Sequence, residues 1–247
     1  FAKYFALPRG FILSASLEGG YILPLDRQRT PGNDPIRLTD RFFLGEPQMR
    51  GFDIRGVGPR IQRIPYLTDA AGNVTLSKDR NQISDDALGG RAYYQGRLEV
   101  EIPLGSGARE LGLRPSIFAD VGAVFGVKRP ITQDFNPLIP ANVAALLRPD
   151  RDSNGSLLCT NNAVMPIFTP LAPGATCPAG TILSQSPAST PFLERFLGNS
   201  ARPRLSVGFG VNWNSPFGPF RIDIARALLK SEGDKTKLFT FNVGTQF

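Results

Sequence analysis

The segment QMRGFDIRG, residues 48–56, places an arginine, a glycine and a phenylalanine side by side within a long polar stretch. A guanidinium carries five N–H donors in a rigid fork that can bind a carboxylate through two bonds. Gly51 lets the backbone bend and approach another surface closely, and Phe52 supplies an apolar anchor. Ordering a long loop costs conformational entropy, so an ordered loop needs such attachments. The alternative is that Arg50 is a solvated surface charge, as most surface arginines are.

Other residue types exclude several kinds of chemistry. The chain has 247 residues and no histidine, which excludes Ser-His-Asp and Cys-His catalysis and removes the commonest metal ligand. The net charge of +7 comes from scattered Lys and Arg residues, whereas a nucleic-acid site needs clustered positive charge. We therefore predict no catalytic residues, no metal site, no cofactor and no nucleic-acid partner.

The two cysteines, Cys159 and Cys177, lie in one stretch rich in Pro, Ser, Thr and Asn. Two thiols alone do not make a zinc site, and no neighbouring residues complete one. We predict a local disulfide between them, formed in an oxidising compartment.

The elements that position these residues are predicted to be β-strands, because apolar and polar residues alternate with a period of two. The alternating segments are residues 1–7, 11–23, 94–102, 113–125, 205–213, 220–225 and 239–247. Some connections are short turns, whereas residues 24–90 and 126–201 form long loops. Short turns at one end of a sheet and long loops at the other are typical of outer-membrane barrels.

A soluble β-sandwich is the alternative fold, since its strands alternate too. The polar faces of the predicted strands are rich in Gly, Ser and Asn, which suits a barrel lumen better than an open surface. Their apolar faces end in aromatic residues near the turns, as in a membrane girdle. We therefore predict an all-β fold in which residues 1–247 form part of a transmembrane β-barrel. Seven strands is an odd number and the chain opens at Phe1 without a methionine, so further strands are expected upstream.

Longer motifs resemble the BamA family of outer-membrane protein assembly factors. RLTDRFFLGEPQMRGFDIRGVGPR, residues 37–60, is similar to the family's signature loop, in which D-R-F-F-x-G-G leads into [VL]-R-G-[FY] and G-x-G-P-[RK]. ALGGRAYYQGRLEVEIPL (87–104), SIFADVGAVF (116–125) and the tail (208–247) resemble later strands of the family in the same order, the tail in its alphaproteobacterial form. Glu46 stands where the family usually has a second glycine, and Met49 replaces its Val or Leu.

The resemblance implies that the chain is the C-terminal part, about seven antiparallel strands, of a sixteen-stranded barrel preceded by periplasmic POTRA domains. It implies an insertase of the bacterial outer membrane that folds and inserts other β-barrel proteins without enzymatic chemistry. The implied partners are unfolded outer-membrane protein clients, accessory lipoproteins of the assembly complex, and outer-membrane lipid including lipopolysaccharide. The alternatives are a TamA-like assembly factor or a two-partner secretion pore of the same superfamily, or a passive porin.

The resemblance also implies roles for individual residues. It places Arg50 inside the barrel, paired with acidic residues of two neighbouring strands that correspond to Glu99 and Asp120. Both acids fall on the polar faces of their predicted strands. The end of the last strand resembles the terminal signal by which outer-membrane barrels are recognised. Its residues here are Phe239, Phe241, Val243 and Phe247.

Overall fold

The computed structural model describes residues 1–25, 33–105, 112–161, 166–172, 174–187, 189–216 and 218–243. The chain forms two compact units. The first unit comprises Phe1–Gln62, Asp85–Ile131 and Phe196–Phe247, and the second comprises Arg63–Ser84 and Thr132–Arg195.

Sixteen strands account for most of the regular structure of the described residues. In chain order they are β1 (Ala2–Ala6), β2 (Ile12–Tyr21), β3 (Arg60–Thr68), β4 (Val74–Leu76), β5 (Ser84–Ala87), β6 (Ala92–Glu101), β7 (Leu113–Phe125), β8 (Leu147–Pro149), β9 (Leu158–Thr160), β10 (Phe168–Pro170), β11 (Ile182–Leu183), β12 (Gln185–Pro187), β13 (Phe192–Leu197), β14 (Arg204–Ser215), β15 (Gly218–Leu229) and β16 (Phe239–Val243). One short α-helix, α1, spans Pro140–Leu146, and 3-10 turns span Pro8–Gly10 and Leu38–Asp40. No helix in the described part of the chain is long and apolar enough to cross a membrane.

The first unit is built on an antiparallel sheet of seven strands in the order β1-β2-β6-β7-β14-β15-β16. These are the seven strands that the sequence alternation predicts, and the all-β prediction is confirmed. Observed strand ends differ from the predicted ones by a few residues: β15 runs on to Leu229, and β16 is described as far as Val243.

The two faces of this sheet differ sharply in character. Residues that pair across neighbouring antiparallel strands project to the same face. One row of such pairs crosses all seven strands with apolar side chains: Phe5, Leu13, Val100, Ile117, Phe209, Ile224 and Phe239. We call this side the outer face; Ile117, Ile224 and Phe239 are each about half exposed on it. The opposite side, the inner face, carries buried polar residues including Asp120, Ser206 and Asp223.

The inner face is covered by the chain segment that contains Arg50. A core of buried apolar side chains lies between this segment and the sheet. It consists of Leu44, Met49, Phe52 and Val57 from the segment and Val124 from β7. Gly208 of β14 leaves the space that this packing needs, because a Cβ there would overlap the ring of Phe118.

The long connections differ from the loops predicted for them, because they contain short strands of their own. Within 126–201, β9 pairs with β10 and β11, and β8 pairs with β12; in the earlier connection, β3 pairs with β4. The sequence pattern predicted no strand over β3, where the two polar residues Gln62 and Arg63 stand side by side and break the alternation. The predicted disulfide is present: Cys159 of β9 is bonded to Cys177, with 5.8 Å between their Cα atoms.

Candidate functional site

Arg50 lies on the inner face of the sheet and is 2% exposed. Its Nε and Nη2 donate to Oδ2 and Oδ1 of Asp120 at 2.8 and 2.7 Å, which is the bidentate geometry of a guanidinium on a carboxylate. The backbone N–H of Arg50 also donates to Asp120 Oδ2, at 3.0 Å. Asp120 itself is fully buried on β7. The loop is therefore attached to the strand through both its main chain and its side chain.

Glu99 of β6 binds the remaining nitrogen of the same guanidinium. Arg50 Nη1 donates to Glu99 Oε2 at 2.8 Å. The other carboxylate oxygen of Glu99 accepts from Ser116 Oγ at 2.6 Å and from Arg221 Nη2 at 3.0 Å. The structure thus brings Arg50, Glu99 and Asp120 together, with the acids on adjacent strands.

The ion pairs continue beyond the three predicted residues. Arg221 of β15 binds Asp223 two residues along the same strand, with its Nε at 2.8 Å from Oδ2. Arg97 Nε lies 3.6 Å from Asp120 Oδ1, and Arg97 Nη2 donates to the carbonyl of Gln48 at 2.6 Å. The full network has three arginines and three carboxylates: Arg50, Arg97, Arg221, Glu99, Asp120 and Asp223. Its formal charges balance, as burial of ionic groups requires.

The residues beside Arg50 fit the loop closely against the sheet. The guanidinium carbon of Arg50 lies 3.4 Å from the centroid of the Phe118 ring, a cation–π contact. Gly51 has a φ of 83°, which disfavours any residue with a side chain. A Cβ on Gly51 would also lie 3.0 Å from Ser206 Cβ and 3.2 Å from Ala225 Cβ. Glycine is therefore required both by the backbone conformation and by the close approach to the sheet.

Phe52 anchors the segment and joins it to the turn that leads into β16. Its side chain is fully buried in the core against Val124. Its backbone forms a β-bridge with Thr236. On either side, Lys237 N donates to Gly51 O at 3.2 Å and Asp53 N donates to Lys235 O at 3.0 Å. The Arg-Gly-Phe segment is thus hydrogen-bonded along its length to the residues that precede the last strand.

Glu46 adds a contact that the sequence reasoning did not find. Lys237 Nζ donates to Glu46 Oε2 at 2.7 Å, and this hydrogen bond raises the pKa of Lys237 above its ordinary value. Glu46 occupies the position where the resembling family usually has glycine, so the departure supplies a second charged link to the same turn. The other departure, Met49, is fully buried in the apolar core.

The terminal strand presents its predicted signal residues to the outside. Phe239, Phe241 and Val243 lie on the outer face and are each about half exposed, whereas Thr240 between them is buried. Phe247 lies outside the described residues. β16 pairs with β15 through a register that sets Phe241 opposite Ile222, and within the described residues no strand pairs with its other edge.

Within the described ranges, no group of three or more acidic or thiol side chains is arranged to bind a metal ion. The three carboxylates of the network each contact an arginine, so the arrangement is suited to fixing a loop.

Comparison with known proteins identifies the family of the chain. Residues 1–247 match the Omp85 superfamily domain over their whole length. The chain belongs to the Omp85 superfamily. Its outer face is therefore the lipid-facing surface of a transmembrane barrel, and its inner face is the lumenal surface.

The relatives match between about two fifths and most of the chain, and in each the match takes up only a small part of the relative's own length. The chain is 26% identical to the outer membrane protein assembly factor BamA of Neorickettsia risticii over 212 residues, 86% of this chain and 17% of that protein. It is 34% identical to the sorting and assembly machinery component 50 homolog of Bos taurus over 94 residues, 38% of this chain and 14% of that protein. The crystal structure of BamA from Haemophilus ducreyi lacking POTRA domains 1–3 matches 97% of this chain and 32% of that chain, with 19% identity and a TM-score of 0.49.

These findings confirm the resemblance to the BamA family and the location in the bacterial outer membrane. The chain spans less than a fifth of the length of these curated relatives.

Proposed function

We propose that the chain is the C-terminal part of the barrel of an assembly factor that folds and inserts β-barrel proteins into the outer membrane. In the complete protein, the seven strands would belong to a sixteen-stranded barrel that follows periplasmic POTRA domains. Residues 24–90 would form an extracellular and lumenal loop, and residues 126–201 an extracellular loop that carries the disulfide.

The observation that carries this proposal is the buried attachment of Arg50 to Asp120 and Glu99. A passive diffusion pore needs a water-filled channel, whereas the segment that contains Arg50 packs a core of apolar side chains against the inner face of the sheet. A loop fixed to β6 and β7, and hydrogen-bonded to the turn before β16, instead gives the terminal strand a defined position.

The proposed activity needs no covalent chemistry from the protein, and we propose that it is not an enzyme and uses no cofactor. The edge of β16 that no strand pairs with in the described part of the chain offers backbone N–H and C=O groups to which an unfolded client strand can add. The free energy comes from hydrogen bonding between client strands and from burial of the client's apolar face in lipid. The assembly factor lowers the kinetic barrier by providing the first strand for pairing.

The proposed partners follow from this activity. Unfolded outer-membrane proteins are the clients, accessory lipoproteins complete the assembly complex, and outer-membrane lipid including lipopolysaccharide surrounds the apolar outer face. The names of the two relatives, an outer membrane protein assembly factor and a sorting and assembly machinery component, support the first of these.

Reconstitution of the full-length protein tests the proposal. Liposomes with and without the protein receive a urea-unfolded outer-membrane barrel, and its folded fraction is followed by heat-modifiable gel migration and protease protection. We expect folding to be faster with the protein than without it, and slower again with Arg50→Ala. Steady ion conductance with no acceleration of folding would instead indicate a passive pore and overturn the proposal.

A second measurement in the same liposomes separates the proposed assembly factor from a two-partner secretion pore. A two-partner secretion pore would transport one soluble exoprotein across the membrane and would leave the folding rate of unrelated barrels unchanged. Acceleration of several unrelated barrel clients is the result that we expect.

A further inference from the structure

Arg226 is an exposed cation on the otherwise apolar outer face of β14 and β15. It pairs in register with Val207 of β14, and its neighbours on the same face of β15 are Ile224 and Leu228. A charged side chain facing lipid is tolerated near an interface and is costly at the middle of the bilayer. Arg226 lies three residues before the end of β15 at Leu229, so its long side chain can extend to the interface.

A surface groove of about 840 Å³ opens beside the end of the same strand. Two further cations, Arg202 and Lys230, line it together with the apolar side chains of Leu197, Pro203 and Leu229. Glu232 contributes a carboxylate to the lining. The groove therefore combines positive charge with apolar walls next to the lipid-facing surface.

Both walls of the groove are fixed from beneath by Arg204, whose side chain is fully buried. Its Nη1 donates to the carbonyls of Ser200 and Arg202 at 2.6 and 2.9 Å. Its Nε donates to Asp234 Oδ2 at 3.0 Å, and the same oxygen accepts from Ser231 N at 2.6 Å. The backbone on each side of the groove is thus held in place before any ligand arrives, which reduces the entropic cost of binding.

The three cations have unused binding capacity. In the part of the chain that the structure describes, no carboxylate or carbonyl pairs with the side chains of Arg202, Arg226 or Lys230. Phosphate is the anion that arginine and lysine bind best, arginine through its fork and lysine as a point charge.

The end of the barrel where this groove lies is the extracellular end. The turns that follow β1 and β14 are short, whereas the connections after β2 and β7 are long and lie at the opposite end of the sheet, which is also the end where β15 stops and β14 begins. In outer-membrane barrels the short turns are periplasmic and the longer loops extracellular. Arg202 and Lys230 therefore lie at the level of the headgroups of the outer leaflet.

We propose that Arg202, Arg226 and Lys230 form a binding site for the phosphorylated headgroup of an outer-leaflet lipid. The phosphate lies against the three cations, and the acyl chains run down the outer face past Leu228 and Val207. A lipid is the occupant because the cations border a lipid-facing surface. The lipid-site proposal rests on the orientation of the barrel in the membrane and does not rest on the proposed assembly activity. Failure of one proposal therefore leaves the other standing.

Lipid binding to the full-length protein tests this site directly. The protein is placed in nanodiscs of zwitterionic phosphatidylcholine, and binding of bis-phosphorylated lipid A and of the same lipid without its phosphates is measured by native mass spectrometry. We expect tighter binding of the phosphorylated form, and about fivefold weaker binding for each of Arg226→Gln, Lys230→Gln and Arg202→Gln, since one cation near an anionic surface contributes about that factor.

Two further variants make the test specific to the groove. Lys3→Gln removes another outer-face cation, on β1 at the far edge of the sheet, and should leave lipid binding unchanged. Glu232→Gln removes the carboxylate and should tighten binding. Equal binding of the two lipid forms, or equal losses in Lys3→Gln and Arg226→Gln, would overturn the proposal. Displacement of the lipid by inorganic phosphate at equal concentration would also overturn it, because the site would then recognise the free ion.

Discussion

Replacement of Arg50 by alanine removes the guanidinium that joins the loop to β6 and β7. The substitution deletes three charge-assisted hydrogen bonds, two to Asp120 and one to Glu99, and the stacking on Phe118. Asp120 is fully buried and would keep one hydrogen bond, from the backbone N–H of residue 50 at 3.0 Å, and the longer ion pair with Arg97 at 3.6 Å. An unpaired buried carboxylate is the main source of the expected loss.

The magnitude follows from what remains around each acid. Removal of one partner of a buried ion pair costs about 3–5 kcal/mol. Arg221 still binds Glu99 at 3.0 Å, and Arg97 lies 3.6 Å from Asp120 and can move closer. We therefore place the loss of folding free energy at the lower end, about 3 kcal/mol. Arg50→Lys should recover only part of it, since an ammonium cannot bind Asp120 and Glu99 with the same fork.

The assay uses the full-length protein in detergent micelles and in cells. The midpoint of unfolding in urea is measured for Arg50→Ala, Arg50→Lys, Asp120→Ala and the double variant, and complementation is scored in cells depleted of the wild-type protein. Arg55→Ala is the matched control, because Arg55 lies in the same loop but is exposed, with its guanidinium stacked on Phe43. We expect Arg55→Ala to lose no more than about 1 kcal/mol.

The double variant provides the decisive comparison. If Arg50 and Asp120 stabilise the protein through their mutual contact, the losses of Arg50→Ala and Asp120→Ala are less than additive, with a coupling of about 2 kcal/mol. Full additivity, or an Arg50→Lys variant as stable as the wild type, would refute the reasoning.

Three further predictions concern other parts of the chain. Phe241→Asp puts a charge on the lipid face and should cost about 2 kcal/mol near the bilayer middle, whereas Asn242→Ser on the inner face should be tolerated; equal folded fractions on a heat-modifiability gel would contradict this. Cys159→Ser should destabilise its loop by about 3 kcal/mol without impairing client assembly, and free thiols in the unreduced wild type would argue against the bond. Lys237→Met removes the ion pair with Glu46 and should lower the folding free energy by only about 1 kcal/mol, because the Lys237 side chain is partly exposed. In a Glu46→Gly background the same substitution should cost much less, and an equal cost in both backgrounds would exclude the pairing.

The strand pattern could be predicted from sequence because each residue of a strand faces one of two environments. Alternation over 113–125 places Ile117 outside and Asp120 inside, and the structure agrees. The pairing of Arg50 with Glu99 and Asp120 was expected only through a resemblance. Alternation alone says which side of a strand an acid occupies, but the distance between two acids depends on the register of β6 against β7.

The remaining charges of the network were missed for the same reason. Arg221 and Asp223 lie on the polar face of β15, as the alternation of RIDIA indicates, so each could have been suspected. The contact of Arg221 with Glu99 of β6 spans two intervening strands, and no local pattern records it. The short strands within 126–201 were also not predicted, since a strand of two or three residues has too few alternating positions to detect.

The contacts of the Arg-Gly-Phe segment connect two features that the sequence presents separately. The same few residues bind the acids of β6 and β7 and hydrogen-bond to Thr236 and Lys237, immediately before β16. Displacement of the loop would therefore break its contacts with β6 and β7 and also its contacts with the turn before β16. Within the described residues, the other attachment of β16 is its pairing with β15 at five positions. A short edge strand with few partners is easily displaced. The position of the loop thus governs how firmly the last strand is held, and through it the edge that a client strand would use.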